Sequence, residues 1–208
     1  IEEDLARRDF TMNAPAFHPA RGIADPYGGA ADMAAGIIRI VGDPDARFAE
    51  DGLRILRACR FASQLGFALE GATYEAMLSH KHLLARVSTE RITHELDAFV
   101  AGAFVHDALM ATWEVLAFAV PELAAMARCP QRNPYHVYDV LEHTAWAMQR
   151  VPPTRLLRWA ALCHDMGKPA AAFRGADGID HFYGHAEVGA RLTRGLLGRL
   201  LMGTAFQD

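Results

Sequence analysis

Between Ala49 and Ala127 apolar residues recur three and four positions apart, with polar residues between them. Ile55, Cys59, Ala62 and Leu65 fall on one face at 3.6 residues per turn, which predicts a helix there. Gly66 and Gly71 mark turns, and Leu83 to Val100 carries further helical sequence with Ser88 as its N-cap. The acid at Glu90 lies one position short of a standard capping box. Three more helical stretches follow, at about 136–150, 154–166 and 185–202. The loop Arg174-Gly175-Ala176-Asp177-Gly178 separates the last two. Ahead of Ala49 the pattern changes. Pro15, Pro19, Pro26 and Pro44 break it up, and Ile37-Ile38-Arg39-Ile40-Val41 reads as one short strand. Cys129-Pro130-Gln131-Arg132-Asn133-Pro134 is a polar, Pro-bounded break. The pattern predicts a mainly α protein in three regions, 1–48, 49–128 and 129–208.

Composition narrows the class. About half the residues are apolar, enough for a sizeable core, yet no run is long enough to span a membrane and no signal peptide is visible. Net charge is slightly negative, so any nucleic acid must be met by local basic patches. The three cysteines are scattered and form no CxxC pair, which fits a reducing cytosol and argues against a Cys-based zinc site. The chain begins with Ile rather than Met, so it is expected to be a piece of a longer protein with function-carrying parts beyond both ends.

The densest chemistry lies in Leu162-Cys163-His164-Asp165-Met166-Gly167-Lys168-Pro169. Adjacent helical side chains point about 100° apart, so a neighbouring His-Asp pair is poor core material. At a helix end, beside a Gly, both can turn to one ion. His143 is expected on a helix Val137–Gln149, where it meets His164 and Asp165 across a helix contact. His181 and His185 follow downstream, and His136 lies upstream. Imidazole and carboxylate ligands suit Mn, Fe, Ni, Co or Zn rather than a Ca cage. Such a site lowers the pKa of water and polarises a phosphoryl oxygen. Lys168 is placed to hold a substrate phosphate as a point charge. The competing reading is an exposed His-Asp pair capping a helix C-terminus.

His143, His164-Asp165-Met166-Gly167-Lys168 and His181-Phe182-Tyr183-Gly184-His185 together resemble the HD phosphohydrolase superfamily. The resemblance implies hydrolysis of phosphomono- or diesters, with His164, Asp165 and Lys168 at the reaction centre. It implies a divalent transition metal (Ni, Mn, Co or Zn) on His143, His164 and Asp165, with His185 as a further ligand. The family's last Asp should lie on a later helix, and Asp208 is a weak match for it.

Two elements lie nearer the start. Arg7-Arg8-Asp9-Phe10-Thr11-Met12-Asn13 gathers two guanidiniums, a carboxylate and an amide. Glu50 to Arg60 is expected to open a helix, with Asp51 and Arg54 as i, i+3 neighbours and Arg57 and Arg60 continuing the row. Each element alone reads equally as solvated surface. The functional reading comes from hydrogen-bond polarity. An ionised Asp only accepts and Arg only donates. Side by side they match an exocyclic amine next to an unprotonated ring nitrogen, the edge shown by cytosine and adenine but reversed in guanine and uracil.

Arg7–Asn13, Asp25-Pro26-Tyr27-Gly28-Gly29 with Asp32, Gly36 and Arg39, then Val41-Gly42-Asp43-Pro44, Arg47-Phe48, Glu50–Arg60 and Ser88-Thr89-Glu90-Arg91-Ile92 with Glu95-Leu96 resemble the class II tRNA nucleotidyltransferase (CCA-adding) family. The HD region follows as in its bacterial multifunctional form. The resemblance implies the C-terminal part of an α/β nucleotidyltransferase head over 1–48, an all-helical neck over 49–128 and a partial helical HD domain over 129–208. It implies that Arg8, Asp9 and Asn13 contact or support the ribose and triphosphate. Asp51 and Arg54 would select the base, and Arg57 would bind phosphate or brace them. tRNA, CTP and ATP are the implied partners, in the cytoplasm, with homodimerisation left open. The family's Mg²⁺ carboxylates lie upstream of the Arg-Arg-Asp segment, before Ile1. The chain alone is therefore expected to lack nucleotidyl transfer. Rival readings are a bacterial poly(A) polymerase, which usually lacks an HD centre, and an RNA-binding module with a silent HD scaffold.

Overall fold

The computed structural model describes residues 2–132, 137–176 and 178–203. His136 and Asp208 lie outside the described residues. The first part holds α1 (Glu2–Ala6), a 3₁₀ turn at Thr11–Asn13, the hairpin β1 (Ala16–His18) and β2 (Gly22–Ala24), α2 (Gly29–Ala35) and β3 (Ile37–Ile38). Then come α3 (Pro44–Glu50), α4 (Leu53–Leu65), β4 (Ala68–Leu69), α5 (Gly71–His80), a 3₁₀ segment at Lys81–Arg86, α6 (Thr89–Val100), α7 (Val105–Leu116) and α8 (Glu122–Met126). The last part is α9 (Val140–Arg150), α10 (Arg155–Cys163), α11 (Lys168–Ala171), the hairpin β5 (Phe173–Arg174) and β6 (Asp180–His181), and α12 (His185–Arg199). The fold is mainly helical, as the periodicity predicts.

Local chemistry adjusts several boundaries. The strand expected over 37–41 is only two residues long and pairs in parallel with Ala68–Leu69. Ile40 instead makes an isolated bridge to Phe10, and its amide donates to the Thr73 hydroxyl at 3.2 Å. Glu50 to Arg60 is not one helix. Asp43 caps α3 through the amide of Asp45, with Pro44 supplying a fixed φ in its first turn. Glu50 then ends α3, and Asp51 leaves helical geometry at φ −147°. Asp51 Oδ1 accepts from the amide of Leu53 at 3.0 Å, which opens α4. The helix carrying His143 begins at Val140 rather than Val137, since Asp139 caps it by accepting from the amide of Glu142 at 2.8 Å. Ser88 occupies the N-cap of α6 but its hydroxyl makes no capping bond, in keeping with the missing capping-box partner.

One apolar core runs from Phe10 to Met202 without interruption. α4 packs on α6 and α7, α7 on α9, and α9 on α10. Polar ties reinforce the crossing from the middle helices to the last part of the chain. Gln149 Nε2 donates to the Ala103 carbonyl at 2.8 Å, and Thr93 Oγ1 donates to that of Leu200 at 2.7 Å. Asp97 accepts from Arg155 Nε at 2.9 Å and from the buried Trp159 Nε1 at 2.8 Å.

Candidate metal centre and nucleotide cleft

α10 ends at the His-Asp pair, and α9 brings His143 beside it. Ligand atoms of His143, His164 and Asp165 all lie within 4.8 Å of one another, the one such group among the described residues. Asp165 is buried and central. Its Oδ2 lies 3.5 Å from His143 Nε2 and 3.2 Å from His164 Nε2, while Oδ1 lies 3.8 Å from His185 Nε2. The ring orientations are set from outside. His164 Nδ1 meets the Ala161 carbonyl at 2.7 Å, and His185 Nδ1 meets that of Phe182 at 2.8 Å. A carbonyl can only accept, so Nδ1 must donate, and in the neutral ring the Nε2 lone pair faces Asp165. This is the second-sphere arrangement that prepares imidazoles to bind a metal.

Backbone geometry makes the convergence possible. A Cβ at Gly167 would run into the His185 carbonyl and the Gly189 amide, so only Gly lets the start of α12 press against the His-Asp turn. Gly184, at φ +74°, reverses the chain just before His185. The Gly that follows the His-Asp pair in the sequence is thus a packing requirement of the centre.

Electrostatics keep the central carboxylate ionised. Burial works to raise the Asp165 pKa, but the close approach of His164 and Lys168 outweighs it and holds the carboxyl well below its usual range. Burial likewise opposes the charged form of His164, yet the Asp165 carboxylate outweighs it and raises that pKa. Lys168 Nζ sits 2.8 Å from Asp165 Oδ2, off the line of a good hydrogen bond, so that oxygen is a buried acceptor with no donor properly aimed at it. An acceptor of this kind ringed by imidazoles is a donor set that a divalent ion completes. The ammonium of Lys168 is itself buried and donates to Gln131 Oε1 at 2.7 Å. Gln131 was not recognisable as a partner in the sequence, lying 37 residues away on a Pro-bounded loop. The cysteines do not compete as ligands. All three are free and buried, and burial pushes the Cys59 and Cys163 thiols up to about 12.

The second site lies where the first residues meet α4. Arg8, Asp9, Asn13, Asp51, Arg54 and Arg57 line one cleft of about 530 Å³, joined by Arg7, Leu53 and Arg91. Asp9 anchors it. Its Oδ1 accepts from the Phe10 amide at 2.9 Å and Asn13 Nδ2 at 3.1 Å, and its Oδ2 from Arg57 Nε at 2.8 Å. Burial works to raise the Asp9 pKa, but the bonds from Asn13 and Arg57 and the Arg57 charge outweigh it and lower the pKa.

A depressed carboxyl pKa contributes stability that is whole above the unfolded value, about 3.9, and is lost as pH falls through the lower folded value. Asp9→Asn should therefore be less stable than the parent in urea near neutral pH, and the gap should close in strong acid. Equal stability at neutral pH would remove the pairing argument.

Asp51 and Arg54 share the cleft but do not bond to each other. Asp51 Oδ2 accepts from Arg91 Nη2 at 3.0 Å, whereas Arg54 Nη1 donates to the Arg47 carbonyl at 2.6 Å and to Glu50 Oε2 at 2.9 Å. Each is held by its own partner, a separation that the i, i+3 spacing did not reveal. Arg47 is buried and donates from Nη2 to the carbonyls of Arg7 and Arg8, each at 2.7 Å, while Nη1 pairs with Glu50. It thereby fixes the Arg-Arg-Asp segment on α3. Below the cleft, buried Glu95 of α6 takes Arg60 Nε at 2.6 Å and lies 3.9 Å from Arg57.

Comparison with known proteins bears on both sites. Residues 1–39 match the model described as "Poly A polymerase head domain", 66–126 match "Probable RNA and SrmB- binding site of polymerase A", and 135–206 match "HD domain". The CCA-adding enzyme of Geobacillus thermodenitrificans is 42% identical over 168 residues, 80% of this chain and 39% of that relative. The multifunctional CCA protein of Pasteurella multocida is 35% identical over 224 aligned residues, covering 100% of this chain and 52% of its own. The chain belongs to the tRNA nucleotidyltransferase family. Another relative in this family, the A-adding tRNA nucleotidyltransferase of Deinococcus radiodurans, is 36% identical across 96% of the chain and 48% of its own length. The crystal structure of the Bacillus stearothermophilus CCA-adding enzyme in complex with CTP superposes with a TM-score of 0.58 at 32% identity, covering 96% of this chain and 46% of that one. The chain spans 39% and 52% of the length of the Geobacillus and Pasteurella relatives. Among the described residues no helix is long and apolar enough to cross a membrane.

Proposed function

We propose that this tRNA nucleotidyltransferase chain serves the addition of C, C and A to tRNA 3′ ends and carries a second, metal-dependent phosphohydrolase centre. Residues 1–48 would act as the end of the head, 49–128 as the neck and 129–208 as the HD domain. The observation that carries the first activity is the single cleft shared by Arg8, Asp9, Asn13, Asp51, Arg54 and Arg57. In it Asp51 accepts from and Arg54 donates to the Watson-Crick edge of C or A, whose donor and acceptor order they match. Glu50 and Arg91 hold the two side chains apart for that task. Arg8 and Asn13 meet the triphosphate and ribose, and Arg57 fixes Asp9. Mg²⁺ serves the nucleotidyl transfer.

In the HD centre, His143, His164 and Asp165 would hold a divalent transition metal, with His185 beside them. That ion supplies Lewis-acid polarisation of a phosphoryl oxygen and makes water more acidic. Lys168 keeps Asp165 ionised in its buried position. The substrates would be terminal phosphates or 2′,3′-cyclic phosphates at RNA 3′ ends.

Competition binding tests the base-selecting role. CTP and ATP should displace a labelled nucleotide at lower concentrations than GTP and UTP. Asp51→Ala and Arg54→Ala should each shrink that preference by about tenfold, the weight of one hydrogen bond to a charged group. Binding of tRNA should be spared. An unchanged order of the four nucleotides in both variants would refute the role.

A further inference from the structure

Beside the His-Asp centre lies a feature that no phosphohydrolase chemistry uses. Phe173 of β5, His181 of β6 and Tyr183 in the following turn form a compact aromatic group, each ring within 5.6 Å of the other two. His181 is stacked against both neighbours, at interplanar angles of 26° and 16°. Such a cluster would ordinarily be core, yet Tyr183 is 74% exposed and Phe173 49%. Leaving that apolar surface in water is costly unless something covers it.

Its position says what covers it. His181 and Tyr183 line the same cleft, of about 610 Å³, as His143, His164 and Asp165. On the other flank of the hairpin, Phe173 borders a second cleft of about 510 Å³ that contains Arg128, Arg132 and Arg174. Arg174 is committed to Asp180, and the same carboxylate accepts from the Arg132 amide, so the hairpin is pinned between the two clefts. An aromatic surface between a phosphoester-cleaving centre and a row of guanidiniums matches a single-stranded polynucleotide end. The terminal phosphate goes to the centre, the base lies on the rings, and preceding phosphates meet arginine.

We propose that Phe173, His181 and Tyr183 form a stacking platform for the last base of an RNA 3′ end, presenting its terminal phosphate to the HD centre. The proposal rests on the reading of that centre as an RNA-end phosphohydrolase and names how it recognises its substrate. Stacking is tolerant of base identity because every base has a π face, so the platform would accept RNA whatever its last nucleotide.

The test needs no metal. A short RNA ending in 2-aminopurine nucleoside 3′-phosphate should lose fluorescence on binding the metal-free protein. Base-aromatic stacking contributes about 1–3 kcal/mol, so Tyr183→Ala and Phe173→Ala should each raise Kd at least about fivefold. Tyr183→Phe should keep the parent Kd, because the ring rather than the hydroxyl does the stacking. Unchanged Ni²⁺ binding by calorimetry would show that the alanine variants retain the fold. Parent-like Kd and quenching in both alanine variants would overturn the platform. The underlying reading fails separately. If the unmodified protein with Ni²⁺ or Mn²⁺ leaves the terminal phosphate and a 2′,3′-cyclic phosphate intact while the Tyr183-dependent quench persists, the hydrolytic role falls and the platform stands.

Discussion

Asp165→Asn should abolish tight binding of Ni²⁺ or Mn²⁺, weakening it by more than about 100-fold in a calorimetric titration. Loss of a second-sphere partner alone costs about 10- to 100-fold, and Asp165 is the central anionic ligand candidate. Three imidazole Nε2 atoms surround it, and among the described residues no other carboxylate joins the group of ligand atoms. An amide keeps the shape but offers no charge. The substitution has a second cost, because buried Lys168 would lose its anionic partner and keep neutral contacts with Gln131 and the Phe182 ring. Stranding one member of a buried pair is destabilising by about 3–5 kcal/mol. His164→Ala is the companion variant, since it removes a ligand without stranding Lys168. It too should lose metal while melting closer to the parent. Parent-like affinity in both variants would show that the ion, if bound, is held elsewhere.

Glu95→Ala should destabilise the chain by about 2–4 kcal/mol in urea unfolding and weaken CTP and ATP binding with it. Glu95 is 4% exposed and compensates Arg60 directly and Arg57 at longer range. Breaking a buried pair costs about 3–5 kcal/mol, reduced here because Arg57 keeps about a third of its side-chain surface in water. The effect on nucleotides is indirect. Arg57 also bonds Asp9, so a guanidinium released from Glu95 no longer holds Asp9 and Asn13 in one register. Glu95→Gln keeps an acceptor for Arg60 and should fall between parent and alanine in both measurements. A change in stability below about 0.5 kcal/mol for Glu95→Ala, the range of ordinary surface substitutions, would sink this relay.

What could be read from the sequence was local. The apolar spacing through Ile55, Cys59 and Ala62 gave α4, because one helix face must be buried whatever it packs on. His164 and Asp165 could be singled out because two adjacent polar side chains at the end of an apolar helix are poor core material. The boundaries that shifted depended on single side chains choosing backbone partners. Asp139 stops α9 from starting at Val137, and Asp51 splits α3 from α4. Pairings across long separations were not legible at all. Arg57 meets Asp9 across 48 residues, and Arg60 meets Glu95 across 35. Sequence spacing suggested that Asp51 and Arg54 were partners, yet folding gave each a different one. The role of Lys168 also turned on burial, which its place after Gly167 does not disclose.

The unbroken core from Phe10 to Met202 has a consequence for how such chains can be rearranged. An HD region joined to its neighbour by a flexible tether could be exchanged for another by recombination and still fold. Here α7 lies directly on α9, and Asp97 of α6 holds Arg155 and Trp159 of α10. A transplanted partner would arrive with the wrong surface and leave Asp97, Val105 and Leu109 without their complement. The separation of the two sites is therefore fixed by packed side chains rather than by the length of a linker.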